Sequence, residues 1–168
     1  MQDKTNLVLI DFQDTFLRCI ADTIDKEEMH DILHYCTEEI KDAVKNKHNI
    51  LIVEFNHYGP THHKLMECIP ENYQKAHVII KEKQDGSEQI LDCCRKHRIS
   101  KNTFRVCGIY LSDCVFATVD GVLKQTAPNH PEIQILSKCS AHPRKEMRKF
   151  YNHFKNEFET LSANVCFI

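Results

Sequence analysis

Glycine is scarce in this chain, with four among 168 residues. That excludes the Gly-rich phosphate loops G-x-G-x-x-G and Walker A, which need glycines at close fixed spacing. No apolar run approaches the length that spans a bilayer. The stretch Leu7 to Ile10 is too short for a signal-peptide core and is followed directly by Asp11. A cytoplasmic protein is therefore expected, with an organelle lumen such as the mitochondrial matrix also compatible. Charge imbalance is lacking too: the net charge is −2. Neither a nucleic-acid partner nor an anionic membrane surface is expected from it.

Cysteine, in contrast, is abundant, at nine residues. The number is odd and no secretory signal accompanies it, so reduced thiols are expected. No C-x-x-C pair occurs; Cys93 and Cys94 are adjacent, and Cys107 and Cys114 lie seven apart. A zinc ribbon or thioredoxin-type motif is thus unsupported.

Short apolar runs alternate with helical periodicity along the chain. The runs are Asn6–Ile10 (NLVLI), Ile50–Val53 (ILIV), His77–Ile80 (HVII), Thr103–Cys107 (TFRVC) and Glu132–Leu136 (EIQIL), with the tail NVCFI as a sixth strand. Runs of this kind suit strands buried on both faces of a parallel sheet. Between them, Met29, Ile32, Leu33, Cys36, Ile40, Ala43 and Val44 repeat at helical spacing, with Asp22 or Asp25 as a candidate cap. Ser87 is a candidate cap for the helix carrying Ile90, Leu91 and Cys94. Cys114 to Leu123 forms another helical segment, and Met147, Phe150, Tyr151, Phe154, Phe158 and Leu161 a last one. Strand–helix alternation predicts an α/β fold, a three-layer α/β/α sandwich with a mainly parallel six-stranded sheet. No repeat or linker divides the chain, so residues 1–168 are read as one domain.

Three reactive residues stand at or just beyond strand ends: Asp11 after the first, Lys81 after the third and Cys114 after the fourth. In an open parallel sheet the carboxyl ends share one edge, where ligands bind. A thiol attacks as thiolate, a nearby ammonium favours that form, and a carboxylate can take the proton. Asp, Lys and Cys together are sufficient for acyl transfer without a histidine.

These residues carry a family resemblance. LVLIDFQDTF resembles the opening D-x-Q-x-x-F of the isochorismatase-like cysteine hydrolases, VIIK their strand-end lysine, and GIYLSDCVFATVDG their block around the cysteine. The resemblance implies strand order 3-2-1-4-5-6 and a catalytic triad of Asp11, Lys81 and Cys114. It further implies a cis peptide at Ile109–Tyr110 and an oxyanion hole from the backbone N–H groups of Tyr110 and Cys114. Gln13, Phe16 and Glu54 are expected to shape the substrate pocket. Relatives are commonly oligomers, so a homo-oligomer acting on a small-molecule substrate, without a cofactor, is implied.

The sequence also departs from the family pattern. Leu111 and Ser112 replace the usual residues before the cysteine, and KQDGSE replaces the aromatic segment after the lysine. Lys83 competes with Lys81 for the lysine role; Lys81 is preferred because it ends the apolar run. Asp113, beside Cys114, would oppose a thiolate if it pointed inward. It is read instead as facing solvent or capping the helix. Nicotinamidases of this superfamily carry an Asp-x-His pair after the second strand, where this chain has Asn56 and Tyr58. His57, His62 and His63, with Glu54, have the ligand types for a divalent metal. The segment E-x-x-H-Y-G-P-T resembles a metal-free subgroup instead, and no metal is assigned.

The function expected is that of a cysteine hydrolase, an amidohydrolase acting on non-peptide C–N bonds through a Cys114 thioacyl intermediate. Asp11 serves as acid and base, and Lys81 stabilises the thiolate. The alternative is a catalytically degenerate protein of the same fold that serves as a binding or assembly module. A thiol-sensing role is a third option, weakened by the lack of a resolving cysteine at motif spacing.

Overall fold

The computed structural model describes residues 5–23, 26–141, 155–156, 158 and 160–168. Its centre is a six-stranded sheet of order β3-β2-β1-β4-β5-β6. The strands are β1 (Asn6–Ile10), β2 (Asn49–Phe55), β3 (Ala76–Lys81), β4 (Thr103–Gly108), β5 (Glu132–Ile135) and β6 (Val165–Phe167). Every neighbouring pair is parallel, as the alternation with helices requires. The expected α/β sandwich and strand order are both observed.

All five residues of β1 are buried, because helices cover both faces. Leu7 and Leu9 face α1 (Asp14–Thr23) and α2 (Lys26–Lys45), packing with Leu17, Ile32, Leu33, Cys36 and Ile40. Val8 and Ile10 face α4 (Ser87–His97) and α5 (Phe116–Thr126), packing with Ile90, Cys94, Val115 and Val119. The period-two alternation of a strand thus divides one apolar run between two cores. Phe158 and Leu161 pack on the α5 side; the rest of the last periodic stretch, Met147 to Phe154, lies outside the described residues.

Several local expectations are corrected. Residues 14–23 form α1, which the sequence reading left without a helix, and Asp22 falls within it. Asp25 lies outside the described residues. A short helix, α3 (His63–Met66), interrupts the loop after β2, capped by the His62 side chain, which accepts from the Lys64 N–H. Ser87 does not cap α4: it is the first helical residue, and its own N–H donates to Asp85 Oδ1 at 2.8 Å. Cys114 does not begin a helix either. It lies in a π-helical turn, Leu111–Val115, that leads into α5.

Among the described residues no helix is long and apolar enough to cross a membrane.

Candidate active site

The chain reaches the site along β1 and leaves it in a left-handed conformation. Asp11 has φ of 59°, a region where Asp is better tolerated than most residues. Its N–H donates to Val53 O at 2.9 Å, so the first residue beyond β1 stays tied to β2. Asp11 therefore projects over the sheet edge instead of continuing the strand.

Lys81 ends β3, two strands away from β1. In the register it lies opposite Phe55, and its ammonium sits 4.9 Å from the centre of the Phe55 ring. The side chain passes over that ring to place Nζ 2.8 Å from Asp11 Oδ2, with both side chains fully buried. Nζ also donates to Gln84 O at 2.9 Å. Lys83, the competing lysine, is exposed.

Gln84 belongs to the turn that departs from the family pattern, and here that turn has a definite task. Gly86 N–H donates to Thr118 Oγ1 at 3.1 Å, and Thr118 Oγ1 donates to Gln84 O at 3.4 Å. A Cβ on Gly86 would lie 3.1 Å from Lys81 Cδ. The turn wraps the lysine stem closely and is anchored by the threonine of the C-V-x-x-T block.

Cys114 completes the cluster from the β4 side. It is 9 % exposed. It lies close enough to Asp11 and Lys81 for both charges to act on its thiol. Burial, followed by the Asp11 charge, pushes the Cys114 thiol up to about 12, with Lys81 offsetting part of this. Burial likewise raises Asp11, against the lowering effect of Lys81 and the thiol. Neither Asp11 oxygen receives an aligned hydrogen bond from an N–H or O–H of the described residues. The carboxylate is held by charge and keeps lone pairs to accept a proton. Lys81 is ion-paired with Asp11, and its charge also acts on the Cys114 thiol.

The peptide Ile109–Tyr110 is cis. The Tyr110 carbonyl accepts from the N–H groups of Asp113 and Val115, both at 3.2 Å, and passes over that of Cys114. Leu111 N–H donates to Ala141 O at 2.8 Å. The Leu111 side chain is buried in the core on the α5 side, so this departure from the family pattern is absorbed by packing. Ser112 and Asp113 are half-buried.

The residues expected to shape the pocket divide into two kinds. Gln13 is fully buried and acts as a bracket: its amide donates to Phe55 O at 2.9 Å and to Gly59 O, and accepts from Phe55 N–H at 2.7 Å. Glu54 accepts from Thr61 N–H at 2.7 Å. Both fasten the loop after β2. Phe16 stacks with Tyr58 at 4.9 Å and lies 6.5 Å from Phe55, whose own ring is 5.4 Å from Tyr58. This aromatic group borders the Lys81 ammonium. Phe55 and Tyr58 were not singled out in the sequence, although their place in the loop after β2, opposite Phe16, carried the signal.

The histidines of the same loop do not gather. His62 caps α3 and lies 3.8 Å from Asp14. His63 stacks on His62, and His57 points toward Asn56.

No family model and no curated protein matches the chain. Solved structures do. The nicotinamidase of Staphylococcus aureus superposes with a TM-score of 0.73 at 20% identity, covering 98% of this chain and 98% of that one. The N-carbamoylsarcosine amidase of Thermoplasma acidophilum gives 0.72 at 14%, covering 98% and 95%. The MAR1 ribonuclease of Caenorhabditis elegans gives 0.70 at 16%, covering 92% and 73%. The fold is that of the isochorismatase-like hydrolases.

Proposed function

We propose that the protein is a cysteine amidohydrolase for a small-molecule amide or related acyl compound. The observation that carries this reading is the meeting of Asp11, Lys81 and Cys114 in a nearly closed site, from three separate strand ends. A buried ion pair has a desolvation cost that a structural role alone rarely offsets.

In this reading the resting thiol is protonated, as its upward shift requires. Asp11 takes the proton as Cys114 Sγ attacks the carbonyl carbon, so the thiolate exists only during the attack. The carbonyl oxygen gains negative charge and is received by the N–H groups of Tyr110 and Cys114. Collapse of the tetrahedral species breaks the C–N bond, and Asp11 returns the proton to the departing nitrogen. Asp11 then deprotonates a water that attacks the thioester. The acid leaves, and Cys114 recovers its proton. Lys81 keeps Asp11 ionised between these transfers. No metal or cofactor enters any step, and a homo-oligomer is proposed as the working form.

Intact-protein mass spectrometry with a panel of small amides tests the reading. An acyl adduct on Cys114, lost in Cys114→Ala together with turnover, is the expected result. Full activity in Cys114→Ala would overturn it. An RNA oligonucleotide belongs in the panel, because several neighbours of the same fold carry the name ribonuclease.

A second reading is favoured by one observation: the thiol is both pushed up to about 12 and nearly enclosed. On that reading the fold is retained as a binding module. Its signature is a Cys114 that forms no adduct with any acyl compound, including activated esters.

A further inference from the structure

We infer that His77, Cys93 and His97 form a binding site for a divalent cation of the zinc class, separate from the Asp11–Lys81–Cys114 cluster. Cys93 and His97 are four residues apart on α4 and so share one face of the helix. His77 lies on β3 in the same alternation as Ile79 and Lys81, which turns it toward α4. One ligand atom from each residue lies within 4.8 Å of the other two. In a tetrahedral zinc site with bonds of about 2.0–2.3 Å, ligand atoms stand roughly 3.3–3.8 Å apart. Small side-chain rotations close the difference.

The two imidazoles already face one another, with centroids 4.1 Å apart. Neutral imidazole is the form that binds a metal. The donor set is one sulfur and two imidazole nitrogens, which suits zinc and not magnesium or calcium. Three protein ligands leave a fourth position open to water, and His97 is exposed beside a surface groove of about 240 Å³. The C-terminal turn of α4 presents the negative end of its dipole to a cation. Arg95, Lys96 and Arg98 oppose this, although Arg95 is paired with Asp92. A metal-bound Cys93 thiolate offsets part of the remainder.

The site is not an extension of the catalytic cluster. His77 and Lys81 are four residues apart along β3, about 13 Å at strand spacing. Nor does it use the histidines of the loop after β2. Its structural consequence is a clip. Among the described residues β3 is an edge strand, paired with β2 alone, and a cation held by His77, Cys93 and His97 would fasten that edge to α4.

Cobalt(II), a spectroscopic substitute for zinc, tests the site on the full chain in a Cys114→Ala background. We expect a sulfur-to-cobalt charge-transfer band that saturates at one equivalent and is displaced by zinc. Cys93→Ser abolishes the band, and His77→Ala or His97→Ala weakens binding at least about tenfold. Zinc raises the melting temperature of the Cys114→Ala protein but not of its Cys93→Ser derivative. A band that survives Cys93→Ser, or no band at all, overturns the inference. Far-ultraviolet circular dichroism verifies that each variant is folded. The outcome is independent of whether the protein hydrolyses amides.

Discussion

Lys81 Nζ lies 2.8 Å from Asp11 Oδ2 with both side chains fully buried, and both charges act on the thiol of Cys114. The arrangement sets two charges against each other at the sulfur. Asp11 raises the thiol and Lys81 lowers it, with burial adding to the first. Removing either charge therefore moves thiol reactivity in an opposite direction.

Asp11→Asn separates reactivity from catalysis. Loss of the carboxylate leaves Lys81 beside the thiol, so the Cys114 pKa falls. Alkylation of Cys114 by iodoacetamide near neutral pH should rise about tenfold or more, since one opposite charge moves a pKa by roughly 1–3 units. Turnover should fall by about a hundredfold or more, because the proton acceptor is gone. Peptide-level mass spectrometry and an amidase assay read the two effects. Slower alkylation in Asp11→Asn would contradict this account of the site.

In the unaltered protein, Cys114 should show a steep pH profile. With the thiol pushed up to about 12, each unit rise in pH below that value multiplies the thiolate about tenfold. The alkylation rate should thus climb steadily from about pH 7 to 10, where a model thiol of pKa about 8.5 levels off. A plateau near neutral pH would mean a resting thiolate and would remove Asp11 from the first proton transfer.

Lys81→Met tests the opposite charge. It leaves the Asp11 carboxylate buried without its cation, which costs on the order of 3 kcal/mol when one partner of a buried pair is lost. Asp11, already raised by burial, moves further up and is protonated over a wider pH range. Denaturant unfolding should show the lower stability, and Cys114 alkylation near neutral pH should slow. Faster alkylation would mean that neutralising Asp11 outweighs the loss of the ammonium at the sulfur.

Much of this site was legible in the sequence because it sits at strand ends. Each strand reads as an apolar run, and the residue that ends the run is placed by the sheet itself; Asp11 and Lys81 follow from that. What the sequence did not disclose depends on contacts between distant loops. Gln13 looked like a pocket residue, but its amide finds the Phe55 and Gly59 backbone more than forty positions away. The KQDGSE turn departs from the family pattern, but its Gln84 carbonyl accepts from Lys81 directly and is tied, with the Gly86 amide, to Thr118. Helix α1 was missed because its start, at Asp14, follows the strand after only three residues, leaving no visible loop.

The bracket formed by Gln13 makes a further prediction. In Gln13→Leu, the Phe55 N–H and C=O lose a buried partner each, at a cost of about 1–3 kcal/mol per unsatisfied group. Phe55 carries the ring under the Lys81 ammonium, so the loss reaches Lys81. The melting temperature and kcat should fall together. If kcat is unchanged while stability drops, Phe55 does not help to position Lys81.

Gly108→Ala probes how closely β4 approaches β1 beside the site. A Cβ at Gly108 would lie 2.6 Å from Ile10 O and 2.7 Å from Ile10 Cβ, and 2.9 Å from Val115 Cγ2. Ile10 O accepts the Ile109 N–H at 3.0 Å, so neither backbone can yield without disturbing the other. Ile10 precedes Asp11 and Val115 follows Cys114, so the added methyl pushes apart the two elements that bring Asp11 and Cys114 together. Overpacking of this kind costs about 1–3 kcal/mol, and a misplacement of about 1 Å between reacting groups can cost a hundredfold in rate. The loss of kcat should therefore exceed that expected from the unfolded fraction, measured on the same sample by circular dichroism. A variant with wild-type kcat and only a lower melting temperature would show that the close approach at Gly108 serves packing alone.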